Sequence, residues 1–231
     1  MAINSTNMDS EQQFIKAVKA GDTATVRDLI ATDIFLADAK GEDGTSALLM
    51  AIYYGNDEIA RLILDSAPTL TIHEAAAAGI IDRVDDLLES DPDLVHAYSH
   101  DGWTPLHLAV YFNRNEVAEF LIANNSDINA ISRNGLGVTP LHSALANRNM
   151  VLAKLLLRKG ADPHGRQTEG GYTPLHYAAA NGLQEIVGIL LGRGVDTTVT
   201  TNDGRTAHTL AVEKGHQTVA TLLADHDASQ T

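Results

Sequence analysis

The chain has 231 residues, with 30 acidic and 16 basic side chains and a formal net charge of −14. It contains no cysteine, which excludes disulfide frameworks and thiol chemistry. No apolar run is long enough to predict a transmembrane helix, and residues 1–10 lack the basic start and apolar segment of a signal peptide. We therefore expect a cytoplasmic protein.

The acidic side chains are concentrated in the first half of the chain. Residues 1–103 carry a net charge of −13, whereas residues 104–231 carry a net charge of −1. Because like charges repel, we expect neither nucleic acid nor an anionic membrane as a partner. The same charge suits a partner protein with a basic surface.

The first predicted elements are two short helices separated by Gly21. Residues 1–10 are predicted to form a flexible N-terminal tail. After this tail, apolar residues recur at helical spacing before Gly21 and again after it, which predicts a helix on each side of a turn. The apolar positions are Phe14, Ala17, Val18, Val26, Leu29 and Ile30.

Two similar helix pairs follow, but the connection between them is short. Their first helices are predicted at Ser46–Ala51 and Leu70–Ala75, and Gly55 and Gly79 end them. The two helices start only 24 residues apart, and Pro68 disfavours continuation of the preceding helix. A surface loop is therefore missing, and we expect a gap or a bend at this junction.

The second half of the chain repeats one phrase of six residues. Thr104–Ala109 recurs as Thr139–Ala144 and as Thr173–Ala178, and it decays to Thr206–Ala211. Successive threonines lie 35, 34 and 33 residues apart. A unit this short cannot enclose a core of its own, so the units must stack and share one. The sequence therefore predicts a solenoid.

The residues of the phrase suit the start of a helix. The hydroxyl of Thr104 can cap the helix, and Pro105 suits the first helical position. Leu106, Ala109 and Val110 then form an apolar stripe. Because a second apolar stripe follows a short loop, each unit is predicted to be a helix-turn-helix pair.

The phrase T-P-L-H-x-A at a period near 33 residues resembles the ankyrin repeat. The resemblance implies an all-α solenoid of stacked helix-turn-helix units joined by short finger loops, with about seven units and degenerate terminal ones. A single domain is expected over residues 11–227, and residues 228–231 are expected to form a C-terminal tail. The predicted units span residues 11–40, 41–66, 67–98, 99–133, 134–167, 168–200 and 201–227.

The sequence contains no catalytic or metal-binding pattern. Four histidines share one place in the phrase, where the resemblance implies a structural histidine that bridges units rather than a metal ligand. A zinc-binding H-E-x-x-H pattern begins at residue 73 but fails at Ala77, and the adjacent residues Ser99–Asp101 cannot supply triad geometry. We expect no enzyme activity, no cofactor and no metal ion. The four histidines are His73, His107, His142 and His176.

Aromatic side chains mark the expected binding surface. The resemblance implies that the finger tips and the exposed edge of each first helix form a concave side. Seven of the eleven aromatic residues fall at such positions. One interpretation is that they only pad neighbouring units; the other is that they anchor an interface, as rigid aromatics often do. The predicted partner-binding residues are Tyr53, Tyr54, Tyr98, Trp103, Tyr111, Phe112 and Tyr172, with Glu42, Asp43 and Asp101 at acidic finger tips.

Two classes of function remain open, with self-association through an edge of the stack as a third option. The first is a monomeric protein-protein interaction module (an adaptor, scaffold or inhibitor) that holds one partner on its concave face. The alternative is a small-molecule or enzymatic site at the shortened junction near Pro68. An open groove would support the first, and a deep pocket with converging polar groups would support the second.

Overall fold

The computed structural model describes residues 2–66 and 69–229, whose regular structure is helical. Within these residues fourteen α-helices, α1 to α14, follow one another in pairs, each pair joined by a tight turn. Successive odd-numbered helices pack side by side, and an isolated bridge between Lys40 and Ser46 is the only strand-like pairing described. The predicted all-α stack of helix pairs is confirmed.

We call the odd-numbered helices inner, the even-numbered helices outer, and the loop before each inner helix a finger. The inner helices are α1 Ala2–Ala20, α3 Ala47–Tyr53, α5 Ile72–Ala78, α7 Pro105–Tyr111, α9 Pro140–Ala146, α11 Pro174–Ala180 and α13 Ala207–Glu213. The outer helices are α2 Thr23–Thr32, α4 Asp57–Asp65, α6 Ile81–Ser90, α8 Asn115–Ala123, α10 Met150–Arg158, α12 Gln184–Leu191 and α14 Gln217–Ser229. Short 3-10 helices at Ile34–Asp38 and Pro92–His96 follow α2 and α6.

The threonine of the phrase caps the inner helix through hydrogen bonds of the kind that the sequence predicts. In α7, the Oγ1 of Thr104 accepts a hydrogen bond from the backbone N–H of His107 at 3.3 Å. The Nδ1 of His107 lies 2.8 Å from the same hydroxyl oxygen. Its Nε2 lies 3.0 Å from the carbonyl oxygen of Val138 in the next finger and, when protonated, donates to it. This buried histidine therefore joins two successive units.

In α5 the cap is Thr71, and Glu74 stands at the place that His107 takes in α7. The expectation that His73 shares this place with the other three histidines was therefore wrong. The Nε2 of His73 still lies 3.0 Å from the carbonyl oxygen of Ala97.

The buried core divides into two clusters near the short junction. One cluster contains the apolar side chains of α1 to α4, and the other runs from α5 to α14. The boundary passes through α5 and α7, because Ala77 and Leu108 pack with the N-terminal cluster while Ala76 and Val110 pack with the other. The third helix pair therefore contributes to both cores.

The fingers on either side of the short junction are in contact. The Oγ1 of Thr45 lies 3.3 Å from the Nε2 of His100, and the Tyr53 hydroxyl donates to Asp101 at 2.9 Å. The expected gap was therefore wrong for this part of the row: without a third finger, the fingers at residues 41–45 and 99–103 meet directly. Ala67 and Pro68 lie outside the described residues.

The ends of the chain are more helical than expected. Helix α1 begins at Ala2 and includes residues 2–10, and the flexibility expected of this segment stays a prediction. No glycine or proline precedes Gly21, and extending an existing helix costs far less than nucleating one. At the other end, α14 continues to Ser229, while residues 230 and 231 are not described. The exact unit boundaries stay a prediction.

Candidate functional site

Four aromatic side chains from three chain segments form one cluster on the inner helices. Tyr53 ends α3, Trp103 ends the 99–103 finger, and Tyr111 and Phe112 end α7. The ring centroids of Tyr53 and Phe112 lie 5.2 Å apart, those of Phe112 and Tyr111 5.0 Å apart, and those of Tyr111 and Trp103 6.4 Å apart. These spacings are typical of edge-to-face and stacked contacts. We call these four residues the aromatic cluster.

Helix α5 allows the rings to meet although it lies between α3 and α7. At the end of this helix the chain carries Ala78 and Gly79, at the places that Tyr111 and Phe112 occupy in α7. Neither residue has a side chain long enough to separate the flanking rings. The aromatic cluster therefore closes over the third helix pair and joins the second pair to the fourth.

Asp101 fixes one end of the cluster. Its Oδ2 accepts the Tyr53 hydroxyl at 2.9 Å, and its Oδ1 accepts the Ser99 hydroxyl at 2.5 Å. Burial, together with the nearby charge of Asp101, raises the pKa of the Tyr53 phenol well above its usual value. The phenol therefore stays neutral and acts as a donor at every physiological pH.

The cluster leaves much of its aromatic surface in contact with solvent. Tyr53 is 37% exposed and Tyr111 is 45% exposed, and the adjacent Tyr54 is 58% exposed. Trp103 and Phe112 are half-buried, and Phe112 also packs against the N-terminal core. Single exposed apolar residues are ordinary, but a contiguous group marks an interaction surface more often.

Three of the seven predicted aromatic residues lie outside this cluster: the exposed Tyr54 beside it, and Tyr98 and Tyr172 further along the chain. The Tyr98 hydroxyl donates to the carbonyl oxygen of Ile131 at 3.1 Å, and the guanidinium of Arg133 lies 3.7 Å from the centre of its ring. Tyr172 packs against Tyr177 with 5.3 Å between ring centroids. Tyr98 and Tyr172 both have structural contacts of their own, and their part in partner binding stays a prediction.

The acidic finger tips differ in their surroundings. Asp43 accepts the backbone N–H of Thr45 at 3.0 Å, and this bond, with a smaller contribution from Lys19, lowers the pKa of its carboxyl group. Asp43 and Glu42 line a cleft of about 680 Å³ that also includes Lys16, Lys19 and Lys40. Their charge is thus partly compensated by lysines, whereas that of Asp101 faces the aromatic cluster.

Two further features of the structure were not predicted from the sequence. Tyr177, inside the third copy of the phrase, belongs to a second aromatic group with Tyr172, and its aromatic character in an otherwise small-residue stretch was the available signal. The lysine-lined cleft was missed because it joins α1 to a finger more than 20 residues away in sequence. Neither could be placed without the packing of the units.

Among the described residues, no three or more histidine, aspartate or glutamate side chains are grouped so that they could hold a metal ion. None of the helices in the described part of the chain is long and apolar enough to cross a membrane. Pro68, at which the alternative small-molecule or enzymatic site was placed, is not among the described residues.

Stacked helix pairs, capped by Thr and bridged by buried histidines, define a repeat protein of the ankyrin type. The family model for ankyrin repeats (3 copies) matches residues 72–167 and 150–231. The chain belongs to this family. Ankyrin repeats generally mediate protein-protein interactions, and proteins of the family are typically non-enzymatic binding modules.

Individual relatives agree with this assignment. The chain is 32% identical over 141 residues to a putative ankyrin repeat protein of fowlpox virus (strain NVSL), covering 57% of this chain and 31% of that protein. It is 28% identical over 157 residues to a putative ankyrin repeat protein of Rickettsia felis, covering 68% and 43%. It is 30% identical over 148 residues to neurogenic locus notch homolog protein 1 of Mus musculus, covering 60% and 6%. The chain therefore matches less than half the length of each of these relatives.

Proposed function

We propose that this chain is a protein-binding module whose partner rests on the concave side of α3, α5 and α7 and on the fingers beside them. The observation that carries the proposal is the aromatic cluster, which exposes ring surface that the fold leaves uncovered. Aromatic side chains that are rigidly held and centrally placed are typical interface anchors.

The charge distribution supports a partner with a basic surface. Residues 1–103 carry a net charge of −13, and Asp101 lies directly beside the rings. Such a field favours encounter with a cationic partner and disfavours nucleic acid. An adaptor, scaffold or inhibitor acting as a monomer in the cytoplasm fits this description, and light scattering on the purified chain tests the monomeric state.

The test is affinity capture with the double variant Tyr54→Ala, Tyr111→Ala. Both side chains are exposed, so the fold should persist, as far-ultraviolet circular dichroism will show. We expect proteins captured by the wild type to be lost, since each aromatic anchor contributes about 2 kcal/mol or more at an interface centre. The matched control is Val151→Ala, an exposed apolar residue of outer helix α10. If the double variant captures the same proteins as the control, the partner does not use the concave aromatic surface.

A further inference from the structure

The segments that frame the aromatic cluster carry acidic side chains but no lysine or arginine. Residues 41–60, 69–79 and 99–113 contain neither basic residue. Within them, Asp101 is the carboxylate that contacts the cluster, through the hydroxyl of Tyr53. The ring faces and this carboxylate are therefore left without a cation from their own segments.

Cations from neighbouring segments are held elsewhere. The Nε of Arg114 donates to the carbonyl oxygen of Ala77 at 2.8 Å, in the last turn of α5. Arg133 lies over the ring of Tyr98, and Lys19 lines the cleft beside Asp43. Each of these three side chains has a contact of its own, and the structure records no ion pair between any of them and Asp101 among the described residues.

The last finger of the same chain contains an internal counterpart in which a cation is present. Asp203 stands two residues before Arg205, as Asp101 stands two residues before Trp103. There the Arg205 guanidinium lies 2.6 Å from the Asp203 carboxylate and donates to the Tyr172 hydroxyl at 2.9 Å. The same guanidinium lies 3.2 Å from the carboxylate of Glu213. Two carboxylates and a phenol thus hold an arginine at the end of this finger. In the 99–103 finger, Trp103 takes the place of that arginine.

We propose that the aromatic cluster and Asp101 bind an arginine side chain supplied by an extended segment of the partner protein, an inference that rests on the proposed function. A planar guanidinium stacks on the exposed faces of Tyr111 and Trp103 while its N–H groups donate to Asp101. Arginine fits better than lysine, because its delocalised, weakly hydrated cation both stacks on aromatic rings and forms directed bonds to a carboxylate.

The missing third finger is what creates this site. A finger between residues 41–45 and 99–103 would separate Thr45 from His100 and Tyr53 from Asp101, which are now in contact. The short junction therefore brings a phenol from the second helix pair to a carboxylate of the fourth. The same junction brings the rings of both pairs together across the end of α5, where Ala78 and Gly79 stand.

Trp103 is the single tryptophan of the chain, so its indole N–H gives one resolved signal at the proposed site. The full-length chain, labelled with ¹⁵N, is titrated with N-acetyl-arginine amide, and the indole cross-peak is followed by NMR. The neutral isostere N-acetyl-citrulline amide serves as the matched probe. We expect a saturable shift with the arginine probe and binding weaker by about fivefold or more with the citrulline probe, since only the former carries charge.

Two variants test whether the carboxylate of Asp101 contributes directly to binding of the arginine probe. Asp101→Asn keeps an acceptor for Tyr53 and should weaken the arginine probe by about fivefold, whereas Asp85→Asn on outer helix α6 should leave it unchanged. Equal binding of the two probes to the wild type, or no saturable shift with arginine, overturns the proposal without recourse to any variant.

Partner capture distinguishes failure of this inference from failure of the proposed function. If capture is lost with Tyr54→Ala, Tyr111→Ala but kept fully with Asp101→Asn, the concave face binds protein without an arginine at this site. If capture survives both changes, the proposed function itself is wrong. Loss with both, together with discrimination between the two probes, supports the arginine site.

Discussion

The hydroxyl of Tyr53 donates a hydrogen bond of 2.9 Å to the carboxylate of Asp101, although the third helix pair lies between the two residues in the stack. This bond links the last turn of α3 to the finger that precedes α7. It exists because the third pair has no finger of its own to hold its neighbours apart. The hydrogen bond between Tyr53 and Asp101 therefore lies both at the boundary of the two cores and at the edge of the aromatic cluster.

Replacing Tyr53 by phenylalanine tests this connection. The ring is retained, so its contact with Phe112 at 5.2 Å should persist, while the bond to Asp101 is lost. We expect the free energy of unfolding to fall by about 1 kcal/mol, a value at the low end for a bond to a charged group because the pair is partly exposed. Urea denaturation measures it. Tyr54→Phe is the control, because the Tyr54 hydroxyl makes no hydrogen bond to the described residues, and equal losses for both variants would argue against a bridging role.

The buried histidines predict loss of stability in mild acid. Burial lowers the pKa of His107 to about 4 and the pKa of His142 to about 4, whereas an unfolded histidine has a pKa of about 6.5. Between these values the unfolded chain binds more protons, so stability is complete above about pH 6.5 and falls as the pH drops toward 4. Protonation linked to each of these two histidines can lower the free energy of unfolding by up to about 3 kcal/mol.

Denaturation midpoints measured from pH 7.5 to pH 4.5 check this expectation. His107→Gln should be less stable at pH 7.5 but should show a shallower pH dependence than the wild type. His208→Gln, at an exposed position of α13, should leave the slope unchanged. A wild-type midpoint that does not move over this range contradicts the role assigned to the buried imidazoles.

Alanine substitutions at two glycines distinguish the cost of backbone strain from the cost of disturbing the packing between fingers. Gly102 has φ of +82°, and a Cβ added there would lie 2.7 Å from the backbone carbon of Arg133 in the next finger. Gly55 has φ of +68° but has no atom within 4 Å of such a Cβ. Gly55→Ala should therefore cost about 1 kcal/mol from the left-handed backbone alone. Gly102→Ala should cost at least about 1 kcal/mol more, because the fingers must move apart, and similar melting temperatures for the two variants would rule out tight packing between these fingers.

Association kinetics test the acidic finger tip. Asp43→Lys should slow association with a captured basic partner several-fold and change dissociation little, because charges at the rim of an interface steer encounter more than they hold the complex. The effect should shrink as sodium chloride is raised from low to high concentration. Surface-based binding measurements give both rates. Asp85→Lys on outer helix α6 carries the same charge change, and an equal effect there would mean that net charge alone, and not the finger, steers the partner.

The local structure of each unit was largely predictable. A Thr-Pro start, a glycine two residues earlier and an apolar stripe suffice to predict where an inner helix begins, since caps and turns depend on residues within a few positions. Thr104 and His107 occupy these roles as expected. The helical state of residues 2–10 was not predicted, because the extension of an existing helix carries no strong local signal.

The composition of the candidate site was predictable, but its arrangement was not. Repeat phase placed Tyr53, Trp103, Tyr111 and Phe112 on the concave side, yet it could not show that rings from the second and fourth helix pairs touch. It also could not show that Tyr98, which contacts Ile131 and Arg133, lies outside the aromatic cluster. These outcomes depend on distances between units, which sequence spacing does not encode.

By itself, the sequence determined that the chain is a stack of ankyrin-type helix pairs, because a repeated phrase fixes a local structure that cannot bury its apolar face alone. Only the tertiary structure decided what the shortened junction does. Deleting a finger leaves two possible results, an open gap or direct contact between its neighbours, and the choice depends on how closely α3, α5 and α7 pack. The small residues Ala78 and Gly79 at the end of α5 permit close packing, and the bond from Tyr53 to Asp101 is the result.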